Sequence, residues 1–164
     1  MPHRRTRTII GIDPGYGRIG VGVIRQDGAQ LSCVSYECLM PPKAVFADRL
    51  LFIHTALGIV LQRHVPAIVA VEKVYFFKNI TTAIDVSQAR GVILLTARLQ
   101  TIPLYEYTPL QVKRAVTGYG KADKQQVQKM VQILLSLPAL PKPDDAADAL
   151  ALAICASTAP YNLS

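Results

Sequence analysis

The sequence predicts an α/β chain, a mixed β-sheet with helices covering both of its faces. Three observations predict it. Three short β-branched runs lead the chain, and Asp27-Gly28 between the second and third is a hairpin signal. Helical and strand-like segments then alternate to the C-terminus. The 164 residues are 51% apolar, enough to bury one core without a disulfide or a structural metal.

Each element has its own warrant. Residues 8–13, 19–25 and 31–38 read as strands, and Pro41-Pro42 closes this section. Residues 44–63 place Val45, Leu50, Ile53, Leu57, Val60 and Leu61 at helical spacing. After Pro66, residues 67–72 form the continuous apolar run of a strand buried on both faces. A polar loop at 73–79 leads into a long helix at 81–99, a strand at 103–108 and a short helix at 109–116. A glycine-rich loop at 117–122 precedes a helix at 123–137. Pro138, Pro141 and Pro143 stiffen the next link, and an alanine-rich helix occupies 144–157. Residues 1–164 are read as one domain with a basic extension at 1–7.

Composition narrows the function. No apolar run is long enough to span a bilayer, and the stretch after the basic N-terminus is cut short at Asp13, which argues against a signal peptide. Cys33, Cys38 and Cys155 form no C-x-x-C pair, so reduced thiols and a cytoplasmic location are expected. Lys and Arg number 18 against 11 Asp and Glu, a net charge of +7 that favours an anionic partner. Basic residues cluster at 4–7, 73–78, 113–114 and 121–129, several beside Tyr75, Phe76, Phe77 and Tyr119. Cations beside rings suit phosphate contact and base stacking in nucleic acid.

Two phosphate motifs fail on context. Gly15-x-Gly17-x-x-Gly20 matches a dinucleotide fingerprint, but a strand pattern follows it where a helix is required. The loop at 118–121 lacks the hydroxyl residue after its lysine that a P-loop needs.

The informative residues are acids in apolar settings. Asp13 and Glu72 each end an apolar strand, where open α/β sheets place their ligands. Asp145 and Asp148 stand three apart and share a helix face, and Asp148 is embedded among alanines. Taken singly, Asp13 could form a turn, Glu72 could lie on the surface, and Asp144 or Asp145 could cap the helix. Taken together, carboxylates in such settings are costly unless a cation joins them. Their hard oxygens suit Mg²⁺ or Mn²⁺, and two such ions can clamp the attacking and leaving oxygens of a phosphodiester. The pattern points to a metal-dependent nuclease.

At these residues the chain resembles a known family. Ile9-Ile10-Gly11-Ile12-Asp13-Pro14-Gly15 opens the series, followed by Glu72-Lys-Val-Tyr75-Phe-Phe-Lys78-Asn79 and Gln88-Ala-Arg90-Gly91. Val112-Lys113, Gly118-x-Gly120-x-x-x-Lys124-x-x-Val127 and Asp145-Ala-Ala-Asp148-Ala-Leu-Ala complete it. In order and spacing, from about 8 to 158, these resemble the RuvC family of Holliday junction endonucleases. Gly-Ile-Asp-x-Gly alone also begins the phosphate loop of actin-like ATPases, but that fold needs a second such domain.

The resemblance implies a ribonuclease H-like fold, with a five-stranded mixed sheet whose second strand is antiparallel. It implies a Mg²⁺-dependent homodimer that nicks four-way junctions symmetrically, leaves 5′-phosphates, and works with RuvA and RuvB in recombination and repair. By position, Asp13, Glu72, Asp145 and Asp148 match the family's catalytic, metal-binding acids, and Lys113 and Lys124 its functional lysines. Tyr75 falls where the family carries an aromatic that helps open base pairs. With the basic clusters, this assigns Tyr75, Lys78, Asn79, Arg90, Lys113, Lys121 and Lys124 to DNA. Asp144 is read as the N-cap of the last helix. Lys73 after the catalytic glutamate is a departure from the pattern. The helix at 81–99, apolar around much of its circumference, is the expected dimer seam.

Overall fold

The structure, a computed structural model, describes residues 6–15, 17–74 and 80–160. Five strands form one sheet in the order β3-β2-β1-β4-β5. They are β1 (Thr6–Asp13), β2 (Ile19–Asp27), β3 (Gln30–Leu39), β4 (Ile68–Glu72) and β5 (Leu104–Tyr107). The hairpin turn at Gly28 takes positive φ, as the Asp-Gly pair requires. Only β2 runs against the others: β1 pairs antiparallel with β2 and parallel with β4, and β4 pairs parallel with β5. The helices are α1 (Phe46–His64), α2 (Ile80–Leu99), α3 (Pro109–Thr117), α4 (Lys124–Leu134) and α5 (Asp144–Ala156).

Strand parity divides the core. Ile10, Ile12, Val69 and Val71 pack on one face with Ile53, Leu57 and Leu61 of α1 and Ala89, Ile93 and Ala97 of α2. Ile9, Ile68 and Ala70 pack on the other with α5, which is backed by Val112, Val116, Val127 and Val131 of α3 and α4. Both faces are covered, as the alternation of elements predicts.

The contact between α5 and the sheet is unusually close. Gly11 and Gly22 face each other across β1 and β2, and Gly20 faces Asp13. A Cβ on Gly11 would lie 1.9 Å from the Ala149 carbonyl oxygen, and one on Gly20 would lie 1.9 Å from that of Asp145. The glycines that look like a nucleotide motif are therefore the floor on which the helix backbone rests. Alanines on α5 complete the fit.

Some boundaries differ from expectation. The N-terminal basic cluster is broken up, because Arg7 lies inside β1 and is 7% exposed. Its guanidinium donates to the carbonyls of Ser157 (2.9 Å) and Ala159 (3.0 Å) just past α5, and to Gln26. A cation is favoured at such a helix end. The extension read at 1–7 thus gives way to strand at Thr6. The helix expected over 123–137 starts at Lys124, since Asp123 caps it by accepting from Gln126 N–H. Asp144 is not the N-cap of α5. Pro143 holds that position, and Asp144 lies in the first turn, free to pair with other side chains. Among the described residues no helix is long and apolar enough to cross a membrane.

Candidate active site

Period two in the strands decides where the first two acids go. Asp13 has the parity of Ile9 and Gly11, and Glu72 that of Ile68 and Ala70, so both project toward α5. Ile12 pairs with Val71, which brings the next residues, Asp13 and Glu72, to the same end of adjacent strands. Above them α5 enters with Asp145 and Asp148 in its first turns. Because the Asp145 carbonyl sits directly over Gly20, the partner of Asp13, the helix acids cannot stand off from the strand acids.

The electrostatics record the crowding. The Asp13 carboxyl is pushed up to about 8, first by burial and then by Glu72, Asp148 and Asp145, with Lys124 opposing. Glu72 is pushed up to about 7 by burial and Asp148, against Lys113 and Lys124. Burial also raises Asp148, and Lys124 pulls it back. Charges so arranged at the mouth of a cleft are a functional-site signature.

Cations ring the acids. Lys124 Nζ lies 3.2 Å from Asp148 and 3.3 Å from Asp144. Asp144 also accepts from Gln128 (3.0 Å), so it belongs to the α4 side, whereas Asp145 is the neighbour of Asp13. Arg18 approaches Asp145 at 4.0 Å. Glu72, Lys113, Lys124 and Asp148 line a cleft of about 270 Å³ whose apolar wall includes Val112 and Val127.

The residues assigned to DNA divide four ways. Lys113 and Lys124 line the cleft. Lys121 is exposed between α3 and α4, clear of the cleft lining. Arg90 instead turns inward: its Nε donates to the Glu72 carbonyl (3.2 Å), and its other guanidinium nitrogen pairs with Glu106. Tyr75, Lys78 and Asn79 lie outside the described residues. Lys73 is exposed, and its N–H donates to Tyr107 O at 2.8 Å.

Sequence reasoning missed Arg18 and Cys38. The Cys38 thiol is raised by burial and then by the charge of Asp145, and Cys38 pairs with Gly20 across from Asp13. The hairpin register could have found Cys38, since Asp13, Gly20 and Cys38 lie in one row. Arg18 was within reach as the cation of the loop after Asp13.

The donor set fits a divalent cation. Its oxygens are hard, and Asp13, Glu72 and Asp148, raised first by burial and then by neighbouring carboxylates, form a site that such an ion would relieve. Among the described residues no three side chains already enclose an ion position. Lys124 stands on Asp148, so loading would require that pair to part.

A five-stranded mixed sheet in this strand order, with helices on both faces, places the chain in the ribonuclease H-like fold class. The family model described as crossover junction endodeoxyribonuclease RuvC matches residues 9–156, and the chain belongs to that family. The protein of that name from Petrotoga mobilis is 51% identical over 148 residues, covering 90% of this chain and 91% of its own. A solved structure of Thermus thermophilus RuvC is 36% identical, covers 92% of this chain and 93% of its own, and superposes with a TM-score of 0.84. The same protein in complex with a Holliday junction substrate is 34% identical over 92% of each chain, with a TM-score of 0.83.

Proposed function

We propose that this chain resolves four-way DNA junctions as a homodimer, each subunit using Mg²⁺ to nick one of two strands of like polarity and leave a 5′-phosphate. The observation that carries the reading is the acid cluster, in which Asp13 is driven to about 8 by burial and three other carboxylates. When bound, the metal supplies Lewis acidity at the scissile phosphate. Asp13, Glu72, Asp145 and Asp148 would hold it, with Asp13 central because it feels all three of the others. Lys113 and Lys124 meet the phosphate backbone from the cleft walls. Tyr75, which lies outside the described residues, stacks on a base opened at the crossover.

Symmetric cuts require two sites about a two-fold axis. α2 suits the seam: Ala89, Ile93 and Ala97 are buried, while Ile84, Leu95 and Leu99 on its other side are more than half exposed. The cellular setting is the cytoplasm, with RuvA and RuvB supplying the branch-migrated junction. The decisive experiment is a nicking assay on synthetic four-way junctions, flaps and RNA hybrids with Mg²⁺. Paired symmetric nicks on the junction are expected. Glu72→Gln, Asp145→Asn and Asp148→Asn should each lower cleavage at least a hundredfold while retaining junction binding. Near-normal cleavage by any of these variants would remove that residue from the site.

A further inference from the structure

Arg90 matches a stretch assigned to DNA, yet its guanidinium faces the protein. Its side chain is 22% exposed. Nε donates to the main-chain carbonyl of Glu72 at 3.2 Å, and the second contact is an ion pair with Glu106 of β5. Parity shows from which side it comes. Tyr105 and Tyr107 pack on the α5 face, and Leu104 packs with α2, so Glu106 shares the α2 face. The Glu72 side chain projects to the opposite face, into the acid cleft. Arg90 therefore grips the catalytic strand from behind, and the sheet separates it from the acids.

We infer that Arg90 is a positioning residue: bridging the Glu72 carbonyl and Glu106, it fixes the end of β4 so that the Glu72 carboxylate meets Asp13 and Asp148. This rests on the junction-nuclease reading and assigns a role within it. The bridge uses the planar guanidinium, which presents donors in two directions at once; an ammonium on a single stem cannot reproduce that geometry. Lys73 N–H, bonded to Tyr107 O, ties the same corner to β5, so the Glu72 peptide is held on both sides. Arg90 is also carried by the helix proposed as the seam, which gives the subunit contact a direct mechanical link to one catalytic acid.

The test compares Arg90→Lys and Glu106→Gln with the unaltered chain in single-turnover cleavage of a four-way junction with Mg²⁺, with junction affinity measured across a salt series. A displaced carboxylate of about 1 Å costs on the order of a hundredfold in rate. Arg90→Lys should lower the rate constant at least tenfold at full reaction amplitude, and Glu106→Gln should lower it less. Affinity should stay within about threefold and the salt slope should be unchanged. A brace needed only for folding would lower the amplitude and leave the rate constant intact, which overturns the positioning role. A salt slope shallower by about 0.9 would mark Arg90 as a phosphate contact and overturn it equally. An unaltered chain that left the junction whole would overturn the nuclease reading itself.

Discussion

Asp13→Asn should make the metal-free protein more stable while abolishing cleavage. The Asp13 carboxyl titrates at about 8 in the folded chain, against 3.8 when unperturbed. Between those values the folded state keeps a proton that the unfolded chain has released. Stability therefore falls as pH rises through that window. At about 1.4 kcal/mol per pKa unit, the ceiling at pH 8 is on the order of 5 kcal/mol. The measured gain will be smaller, because part of the Asp13 shift comes from Glu72, Asp148 and Asp145, which titrate together with it. Urea unfolding in a chelator at pH 5 and pH 8 checks this. The variant should exceed the wild type clearly at pH 8, by a margin that narrows at pH 5. Added divalent cation should stabilise the wild type and leave the variant nearly unmoved. A variant no more stable than wild type at pH 8, or a margin independent of pH, would refute the account of Asp13 as an overcrowded acid.

Gly11→Ala should cost about 3 kcal/mol or prevent folding, because its Cβ would fall 1.9 Å from the Ala149 carbonyl; thermal unfolding measures it. Lys113→Gln should leave the fold intact and make the salt dependence of junction binding shallower by about 0.9 in log–log slope. Tyr75→Ala should reduce cleavage more than binding, with Tyr75→Phe nearly silent. Junctions prepared unpaired at the crossover should partly restore Tyr75→Ala, and failure to do so would remove the stacking role.

Three of the four acids were legible because each stands beside apolar residues: Asp13 after Ile12, Glu72 after Val71, Asp148 between alanines. Local pattern exposes such conflicts. Partners brought from elsewhere are a different matter. Asp148 has no cation within a turn of α5, and its partner Lys124 comes from α4. Nothing near Asp144 announces that Lys124 and Gln128 hold it, so composition favoured the cap, while Pro143 took that place. Arg90 and Glu106 lie on different elements, and only the packing of α2 against the sheet joins them. Gly20 and Gly22 lie within β2, as their alternation with valine predicts. Their purpose was invisible until α5 lay on them.

That glycine floor also governs how the site responds to time and heat. From 146 to 156 every residue of α5 except Asp148 is buried. The helix cannot lift away without opening the sheet core beneath it, so it has no inexpensive local opening of its own. Beyond its first turn, its amides should exchange with deuterium only through global unfolding. Asp148 thus rides on the slowest-exchanging part of the molecule, with Asp145 one turn before it, and on warming the nuclease should keep its geometry until the whole domain melts.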